Sequence, residues 1–476
     1  FLLSRRRPPR ATLVPYTTLF RSTNHQLMEE YYLYFQETDD VLFTENETNF
    51  QRLFNRSNTS EFVKDSFHDA IINGTNFQKL KDKKQGTKCA PVYHLEIEPK
   101  QSQSIFLRLT NKEMDDFFPN NFEEIFNTRK KEADNFYDSI APTTCAEDQK
   151  NIQRQAFAGL LWNKQYYHYD VNRWLNTSDG ITPESDERKN GRNHNWKYLK
   201  NQDILSMPDN WEYPWYAAWD SAFHSITLSI IDPTFAKHQL TLLMREWYMD
   251  PQGQLPAYEW DFNDVNPPVH AFAALQIYKT EQKLYGKTDV VFLKSIFQKL
   301  IINFTWWINR KDADGNSIFE GGFLGLDNIG LFNRDMVLPG NMLLEQADGT
   351  SWMGMYALDM MNIALEIAMN DISFEDMGTK FYEHFVIIAE ALNELGLWNE
   401  EDKFFYDVLS LNKSDAFPLK VRSLIGLSSL FAVTVIEKEV FDKLPDFTRR
   451  MKWFQNYREA NHLFMPSEDK SNYKCT

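Results

Sequence analysis

From about residue 147 onward, the sequence reads as a succession of amphipathic helices, and this pattern most constrains the fold. Several predicted helices form pairs with short breaks between them, such as IIDPT. Paired helices without strands between them build either a helical solenoid or a closed ring of hairpins. The absence of a fixed repeat period disfavours the solenoid. Helices are predicted at 150–170, 215–231, 234–249, 268–285, 288–310, 351–369, 374–395, 420–436 and 438–455.

Three long loops interrupt these helices, at 176–214, 250–267 and 311–350, and all are rich in Trp, Tyr, Asp, Asn and Gly. Long loops of that composition usually carry a functional site rather than a mere connection. We therefore expect the site in these loops.

Residues 23–112 have a different pattern. VYHLEIEP and SIFLRLT alternate apolar and polar residues, which predicts antiparallel strands joined by a polar turn at KQSQ. FVKDSFHDAII reads as a helix flanked by loops. The region is interpreted as a partial β-sandwich domain. Residues 113–146 are predicted to form a linker helix.

The ends of the chain differ from the rest. Residues 1–22, FLLSRRRPPRATLVPYTTLFRS, are basic, lack a signal-peptide apolar core and resemble adapter or vector sequence. They are expected to form no packed element. Residues 147–476 are expected to be a truncated barrel domain. Neither end indicates a compartment, and the cytoplasm is favoured only slightly.

The net charge of -16 argues against nucleic acid or an anionic membrane as partner, since both require a basic surface. No apolar run reaches the length of a membrane-spanning helix, and SLIGLSSLFAVTVI is predicted to be a core helix. The three cysteines and ten histidines show no metal-ligand spacing. Phosphate-binding and nucleophile-elbow motifs are missing, so no cofactor and no metal are expected.

The stretch WEYPWYAAWDSAFHS is the most informative, because six of the fourteen residues from Trp211 to His224 are aromatic and Asp220 lies among them. Sugars stack their apolar C–H faces on aromatic rings and offer hydroxyls to carboxylates, so the stretch is a candidate sugar site. An amphipathic core helix with a locally paired Asp explains it equally well.

A second stretch, GQLPAYEWDFNDVNPPVHAFA, places Glu259, Asp261, Asp264 and Asn266 before a Pro-Pro helix entry. These side chains are either ligands for a polar substrate or ordinary solvated and capping residues.

A third stretch, LLEQADGTSWMGMY, places Asp348 just before a predicted helix. Asp348 is either a helix cap or a carboxylic acid that donates a proton to a leaving group. Thr350 and Ser351 are better placed to cap a helix that starts near Trp352, which leaves Asp348 for another role.

Together with REWYMDPQ and FEGGFLGLDNIG, these stretches resemble glycoside hydrolase family 63, over roughly residues 145 to 455 and in the expected order. The match is closest to the mannosylglycerate-hydrolase-like and glucosidase members. The resemblance implies a mainly α (α/α)6 barrel that hydrolyses α-glucosidic or related α-glycosidic bonds with inversion. The substrate would be an oligosaccharide or a small glycoside.

The resemblance also implies residue roles. Asp348 falls at the position of the general acid, and the pair Trp219–Asp220 falls where sugar hydroxyls are held. Further substrate-binding positions are expected at Tyr216, Glu259, Asn266, Trp352 and Arg422. The resemblance places the general base, a Glu, in the last part of the barrel, beyond residue 455, and this chain is expected to end before that region. A non-catalytic carbohydrate-binding barrel is the alternative, and a purely structural helical scaffold is a third.

Overall fold

The computed structural model describes residues 12–17, 20–25, 29–36, 38, 40–114, 122–176, 186–191, 193–213, 215–258, 264–310, 317–319, 329–331, 334, 338, 342–394, 396–411 and 415–461. The chain divides into two compact units, Phe1–Phe136 and Tyr137–Thr476. The predicted domain boundaries at 23, 113 and 147 remain predictions.

The first unit contains short strands and helices. Its strands are β1 Thr12–Thr17, β2 Phe20–His25, β3 Glu29–Phe35, β4 Asp40–Thr44, β5 Lys88–Val92 and β6 Leu107–Thr110. Its helices are α1 Phe50–Phe54, α2 Ser66–Ile72, α3 Phe77–Asp82 and, crossing the unit boundary, α4 Phe122–Ile140. An antiparallel sheet has the order β1-β2-β3-β6, and β4 pairs separately with β5.

Two expectations for this unit are wrong. The hairpin predicted across KQSQ does not form, because β5 pairs with β4 and β6 pairs with β3. The alternating apolar residues Leu95, Ile97 and Ile105 are exposed instead. The segment 1–22, expected to form no packed element, contains β1 and part of β2, which extend the sheet. Long-range pairing with β3 and β4 thus overrides the local alternation.

The second unit is mainly helical. Its helices are α5 Glu147–Trp162, α6 Val171–Asn176, α7 Asp186–Lys189, α8 Ala218–Leu228, α9 Pro233–Leu243, α10 His270–Tyr285, α11 Val290–Ile308, α12 Ala347–Ala368, α13 Glu375–Glu394, α14 Lys438–Lys443 and α15 Pro445–Ala460. Two 3-10 segments span Ile372–Phe374 and Leu424–Phe431. Its strands are β7 Lys164–Asp170, β8 Lys200–Ser206, β9 Met342–Glu345, β10 Trp398–Asn399, β11 Phe404–Phe405, β12 Val408–Leu411 and β13 Asp415–Pro418. The small sheets are β7-β8, β10-β11 and β13-β12-β9, and all their pairs are antiparallel.

Local capping chemistry explains the helix pairs. Asp232 and Asp289 cap α9 and α11 by accepting a hydrogen bond from the backbone N–H of the third residue in each helix, and Pro233 starts α9. Gly286 ends α10 in the left-handed conformation, at φ +65°. Helices α8–α9 and α10–α11 are therefore joined by short turns, as the sequence predicts.

The core lies around α12, in which 19 of 22 residues are buried. This helix packs against α10, α11, α13 and the 3-10 segment Leu424–Phe431, and α10 also packs against α8. A helix that is buried on all sides must lie in the interior of a helical assembly. Helix α12 therefore lies in the interior of the second unit, and its first turn is buried with it.

Two helix predictions need correction. The helix expected at 150–170 ends at Trp162, and Lys164–Asp170 is a strand because its alternating Tyr residues pair with β8. The core helix expected at 420–436 is a 3-10 segment followed by extended chain. There the hydroxyls of Ser423 and Ser428 bond to the backbone of Ile425 and compete with α-helical bonding. Several of its apolar residues are exposed, among them Leu424, Leu427, Leu430, Val433 and Val435.

The predicted mainly α class is confirmed for the second unit, since its strands are short and its core is helical. The (α/α)6 barrel remains a prediction. None of the described helices is both long enough and apolar enough to span a membrane.

Candidate active site

Asp348 belongs to a buried charged cluster with Arg334 and Asp407. The guanidinium of Arg334 donates to both carboxylate oxygens of Asp348, with the Nη1–Oδ2 bond at 2.8 Å. Arg334 Nη2 also lies 3.6 Å from Asp407 Oδ2. The Asp348 side chain is 0% exposed, and the other two side chains are nearly as buried. One guanidinium thus contacts two carboxylates, and all three groups are shielded from water.

The electrostatics of the cluster are unbalanced, because two carboxylates and one guanidinium leave a formal charge of minus one. Burial raises the pKa of Asp407 to about 6; Arg334 opposes this rise and the Asp348 carboxylate adds to it. Asp348 holds the bidentate bonds to Arg334. The raised pKa makes Asp407 the group that takes up a proton as the pH falls toward about 6.

The start of α12 explains how Asp348 is held, and it corrects the predicted helix start. The helix begins at Ala347, four residues earlier than expected, so Asp348 lies in the first turn. The Ala347 N–H donates to Asp407 Oδ1 at 2.8 Å, and the Gly349 N–H donates to Asp348 Oδ1 at 2.8 Å. These two carboxylates satisfy N–H groups of the first turn that have no partner within the helix.

Thr350 and Ser351 do not cap the helix, contrary to expectation. Their hydroxyls donate to the carbonyls of Gln346 and Ala347 inside the first turn. Asp407, from the chain between β11 and β12, supplies the acceptor that they were expected to provide.

A second cluster surrounds Asp220 in the first turn of α8. Burial raises the pKa of Asp220 and lowers the pKa of His224, and the attraction between the two side chains opposes both shifts. The Ser206 hydroxyl lies 3.1 Å from His224 Nδ1. A half-buried carboxylate beside a neutral imidazole can accept hydrogen bonds from ligand hydroxyls.

Asn266 and the loop before α10 are attached to this cluster. The Trp219 N–H donates to Asn266 Oδ1 at 3.4 Å, and the Ala218 N–H donates to the Ala257 carbonyl at 2.9 Å. Ala217 and Tyr258 form an antiparallel bridge. The structure thus brings together Trp219, Asp220 and Asn266, which the sequence placed in two separate motifs. Glu259 and Asp261 lie outside the described residues.

The other predicted binding residues lie in different surroundings. Tyr216 is buried, with ring contacts to Tyr167 and Tyr248. Trp352 is almost buried against Phe431, and within the described part of the chain its indole N–H has no hydrogen-bond partner. A donor of this kind suits a ligand hydroxyl.

Arg422 differs from the rest, because its side chain is 67% exposed and pairs with Asp402 at 3.0 Å. Its Nε also donates to the Tyr406 hydroxyl at 3.4 Å. The sequence placed it as a sugar contact or a brace for a carboxylate, and the carboxylate that it contacts is Asp402.

Sequence reasoning missed Arg334 and Asp407. Arg334 follows Asn333 in the long loop 311–350, and Asp407 follows the aromatic run FFY. An Arg in a site-bearing loop and an Asp beside aromatic residues were available signals. Nothing in their spacing links them to Asp348, because they meet only in the folded chain. The described residues contain no group of three His, Cys, Asp or Glu that could hold a metal ion.

Comparison with known proteins finds a family match within the helical unit. Residues 213–322 match the sequence model of the mannosylglycerate hydrolase MGH1-like glycoside hydrolase domain. This confirms the predicted resemblance to glycoside hydrolase family 63. The matched segment contains Trp219, Asp220 and Asn266, and Asp348 lies beyond it.

One relative is the uncharacterized protein YMR196W of Saccharomyces cerevisiae. It is 45% identical over 455 residues, covering 89% of this chain and 42% of the relative. The chain thus spans less than half the length of that relative.

Solved structures similar to the chain include the GH63 mannosylglycerate hydrolase of Thermus thermophilus. Its complex with Tris has 16% sequence identity and a TM-score of 0.38, covering 56% of this chain and 77% of that one. Its complex with glucose has 15% identity and a TM-score of 0.37, over 56% and 77% of the two chains.

Proposed function

We propose that the protein is a glycoside hydrolase that cleaves α-glucosidic or related α-glycosidic bonds. The observation that carries the proposal is the match of residues 213–322 to a glycoside hydrolase domain, with Trp219 and Asp220 inside it. Asn266 holds the Trp219 backbone, and burial raises the pKa of the neighbouring Asp220. An indole ring next to a half-buried carboxylate suits both the apolar face and the hydroxyls of a sugar.

Asp348 is the proposed general acid, and Asp220 is the proposed acceptor for sugar hydroxyls. Trp219, Asn266 and Trp352 would complete the contacts with the sugar, together with Glu259. Tyr216 is assigned a supporting position behind Trp219 and Asp220, since its ring is buried among aromatic side chains. Arg422 keeps a peripheral role, because it is exposed and paired with Asp402.

A general acid has to present a proton to the leaving oxygen, whereas Arg334 donates to both carboxylate oxygens of Asp348. Arg334 Nη2 already lies 3.6 Å from Asp407 Oδ2, so a small movement would shift its pairing from Asp348 to Asp407. With the guanidinium on Asp407, Asp348 would take the proton of the cluster and deliver it to the leaving oxygen. Substrate binding is the proposed trigger for this exchange.

Hydrolysis with inversion is proposed for the reaction. In this mechanism one carboxylic acid protonates the leaving oxygen while a second carboxylate, roughly 6.5–9.5 Å away, activates water on the opposite face of the sugar. Asp407 is not assigned as that base, because it shares the Arg334 guanidinium with the acid.

A non-catalytic carbohydrate-binding protein is the second candidate function. The observation in its favour is that Asp348 is 0% exposed and bound bidentately by Arg334. A carboxylate locked in such a pair stabilises the start of α12 without taking part in chemistry. The site around Trp219 and Asp220 would then bind sugar with no turnover.

The test is proton NMR of the protein extended to include the Glu proposed as general base, with α-linked glucose disaccharides and mannosylglycerate as substrates. Inversion of an α-glucoside releases β-glucose first, which its anomeric proton reports before mutarotation. Asp348→Asn is expected to lower kcat by about 10²–10⁴-fold, the usual contribution of a general acid. Asp376→Asn is the matched control, since Asp376 is an exposed carboxylate paired with Arg450.

Turnover separates the two candidate functions, and Asp220→Ala tests the sugar site that both require. Turnover lost in Asp348→Asn and binding lost in Asp220→Ala support the hydrolase. Sugar binding without turnover in the extended wild-type protein, still abolished by Asp220→Ala, supports the binding protein. Turnover that is unchanged in Asp348→Asn removes Asp348 from the mechanism.

A further inference from the structure

A groove of about 510 Å³ lies in the helical unit, apart from both clusters described above. Its walls come from the residues before β8, the turn that follows α9 and the side of α11. The residues that matter for its chemistry are Trp196, Tyr198, Glu246, Trp247, Asp250 and Lys299. Its volume falls within the range of about 300–1,000 Å³ that is usual for small-molecule sites.

Backbone hydrogen bonds hold the walls in place. The Lys200 N–H donates to the Trp247 carbonyl at 3.0 Å, which joins the first two walls. Asn303 Nδ2 donates to the Gly253 carbonyl at 2.8 Å, which fixes the end of the turn against α11. A Cβ atom at Gly253 would lie 2.5 Å from the Ile302 carbonyl oxygen, so the backbone approaches α11 as closely as glycine permits. The groove is therefore preformed, and a ligand need not order it.

Two aromatic rings present their surface to the groove and to solvent. Tyr198 is 76% exposed and Trp247 is 38% exposed. Trp196, which is buried, holds the Tyr198 ring in an edge contact with centroids 5.8 Å apart. The Arg245 guanidinium lies 5.5 Å from the centre of the Trp247 ring and supports that ring. Exposed rings fixed by neighbours lose little entropy when a ligand stacks on them.

Charges of both signs line the groove, which favours a neutral ligand. Glu246 and Asp250 supply two carboxylates, and Lys299 supplies one ammonium group. A cationic ligand would meet Lys299, and an anionic ligand would meet Glu246 and Asp250. A ligand that is rich in hydroxyls can donate to the carboxylates and accept from the ammonium group.

We infer that this groove binds pyranose units of a neutral oligosaccharide, as a second carbohydrate site separate from the candidate active site. The C–H faces of the sugar rings stack on Tyr198 and Trp247. The hydroxyls bond to Glu246, Asp250 and Lys299. The inference rests on the residues of the groove and does not require turnover at Asp348.

The test compares binding of three tetrasaccharides, maltotetraose, an α-linked mannotetraose and cellotetraose, by saturation-transfer NMR and calorimetry. The variants are Tyr198→Ala, Trp247→Ala and the ring-retaining Trp247→Phe, made in the full chain. A stacked ring contributes about 0.5–1.5 kcal/mol, so each alanine variant is expected to raise Kd about two- to tenfold. Trp247→Phe is expected to retain most of the affinity.

Trp162→Ala is the matched control, because Trp162 is 77% exposed at the end of α5, outside the groove. The comparison is repeated in the Asp220→Ala background, which removes the binding proposed for the active site. Binding that persists there and is weakened by Tyr198→Ala supports the groove independently of the proposed hydrolase.

Two results would overturn the inference. One is that none of the three tetrasaccharides binds in the Asp220→Ala background. The other is that the groove variants bind as tightly as Trp162→Ala. If an apolar fluorescent dye binds the wild-type groove and the tetrasaccharides do not, the groove is a protein-docking surface and the glycan assignment is wrong.

Discussion

Arg334 donates to both carboxylate oxygens of Asp348 across a separation of only 14 residues, and the pair is buried. Without Arg334, the Asp348 carboxylate would be buried with neither water nor a counter-ion, so the pair requires the guanidinium. The pair holds Arg334 against the first turn of α12.

Removing the guanidinium is expected to destabilise the fold strongly. Arg334→Met would leave the Asp348 carboxylate buried without its partner, at a cost of about 3–5 kcal/mol in the free energy of unfolding. Urea unfolding followed by circular dichroism measures this loss. Arg422→Met is the control, since its pair with Asp402 is exposed, and it should change the stability little. Equal losses of unfolding free energy in the two variants would show that the buried pair stabilises the fold no more than the exposed pair does.

The double variant Arg334→Met/Asp348→Asn provides a second measurement of the same pair. With the charge of Asp348 removed, the double variant should be more stable than Arg334→Met alone. A double variant that is less stable by the sum of the two single losses would contradict the ion-pair explanation.

Asp407 predicts a pH dependence of stability. Its folded pKa of about 6 lies above the ordinary value, so the folded state binds the proton more tightly than the unfolded state does. The contribution of Asp407 is present at acid pH and is lost as the pH rises from about 4 to about 6, on the order of 2–3 kcal/mol in total. Asp407→Asn should flatten this part of the profile, which urea unfolding at pH 4, 5, 6 and 7 can measure. An unchanged slope in the variant would assign the proton to another group.

The raised pKa of Asp359, within α12, also predicts that stability depends on pH. Burial raises its pKa to about 7, Lys279 opposes the rise, and Oδ2 has no hydrogen-bond partner within the described residues. Its contribution to stability is therefore lost as the pH rises from about 4 to about 7. Asp359→Asn has nearly the same shape and no charge, so it should raise Tm at pH 8 more than at pH 5.

Asp371→Asn is the matched control for this carboxylate. Its ion pair with Lys294 lowers the pKa of Asp371 to about 2, so its contribution is present near neutral pH and lost in acid. The Tm of this variant should fall at pH 8. Variants of Asp359 and Asp371 that respond to pH in the same way would contradict the assignment of opposite environments.

Gly253 and Gly159 predict opposite effects of the same substitution. Gly253 has φ +101°, and an added Cβ would lie 2.5 Å from the Ile302 carbonyl oxygen. Gly253→Ala should therefore destabilise the fold by about 1–3 kcal/mol. Gly159 lies inside α5 with open space around it, so Gly159→Ala should stabilise by about 0.5–1 kcal/mol. Thermal unfolding of both variants measures the difference, and the same sign in both would refute the explanation.

Glycosylation at Asn303, one of the sequons in the chain, is disfavoured by the structure. The side chain is buried, its amide nitrogen donates to Gly253, and its oxygen accepts from the Tyr356 hydroxyl. Asn303 also lies within helix α11, not in a surface loop.

The part of the chain best predicted from sequence is 215–310. Its helices have strong apolar periodicity, and their boundaries are marked by Asp232, Pro233, Gly286 and Asp289, which act within one turn of chain. The predictions of a hairpin across KQSQ and of a helix at 420–436 were wrong, because the structure of both segments depends on partners that are distant in sequence. A strand needs another strand, and the backbone at Gly426 lies directly against the Phe404 ring.

The candidate site likewise has features that the local sequence predicts and contacts that form only on folding. The sequence by itself determined that aromatic and acidic residues cluster around the starts of α8, α10 and α12, because these features are local composition. Only the tertiary structure decided which charges meet: Arg334 and Asp407 reach Asp348 from separate loops, and 60 residues separate Ala347 from Asp407, whose carboxylate caps it. The physical reason is that a buried carboxylate requires a partner of opposite charge, and chain folding selects that partner by position in space, without regard to spacing in sequence.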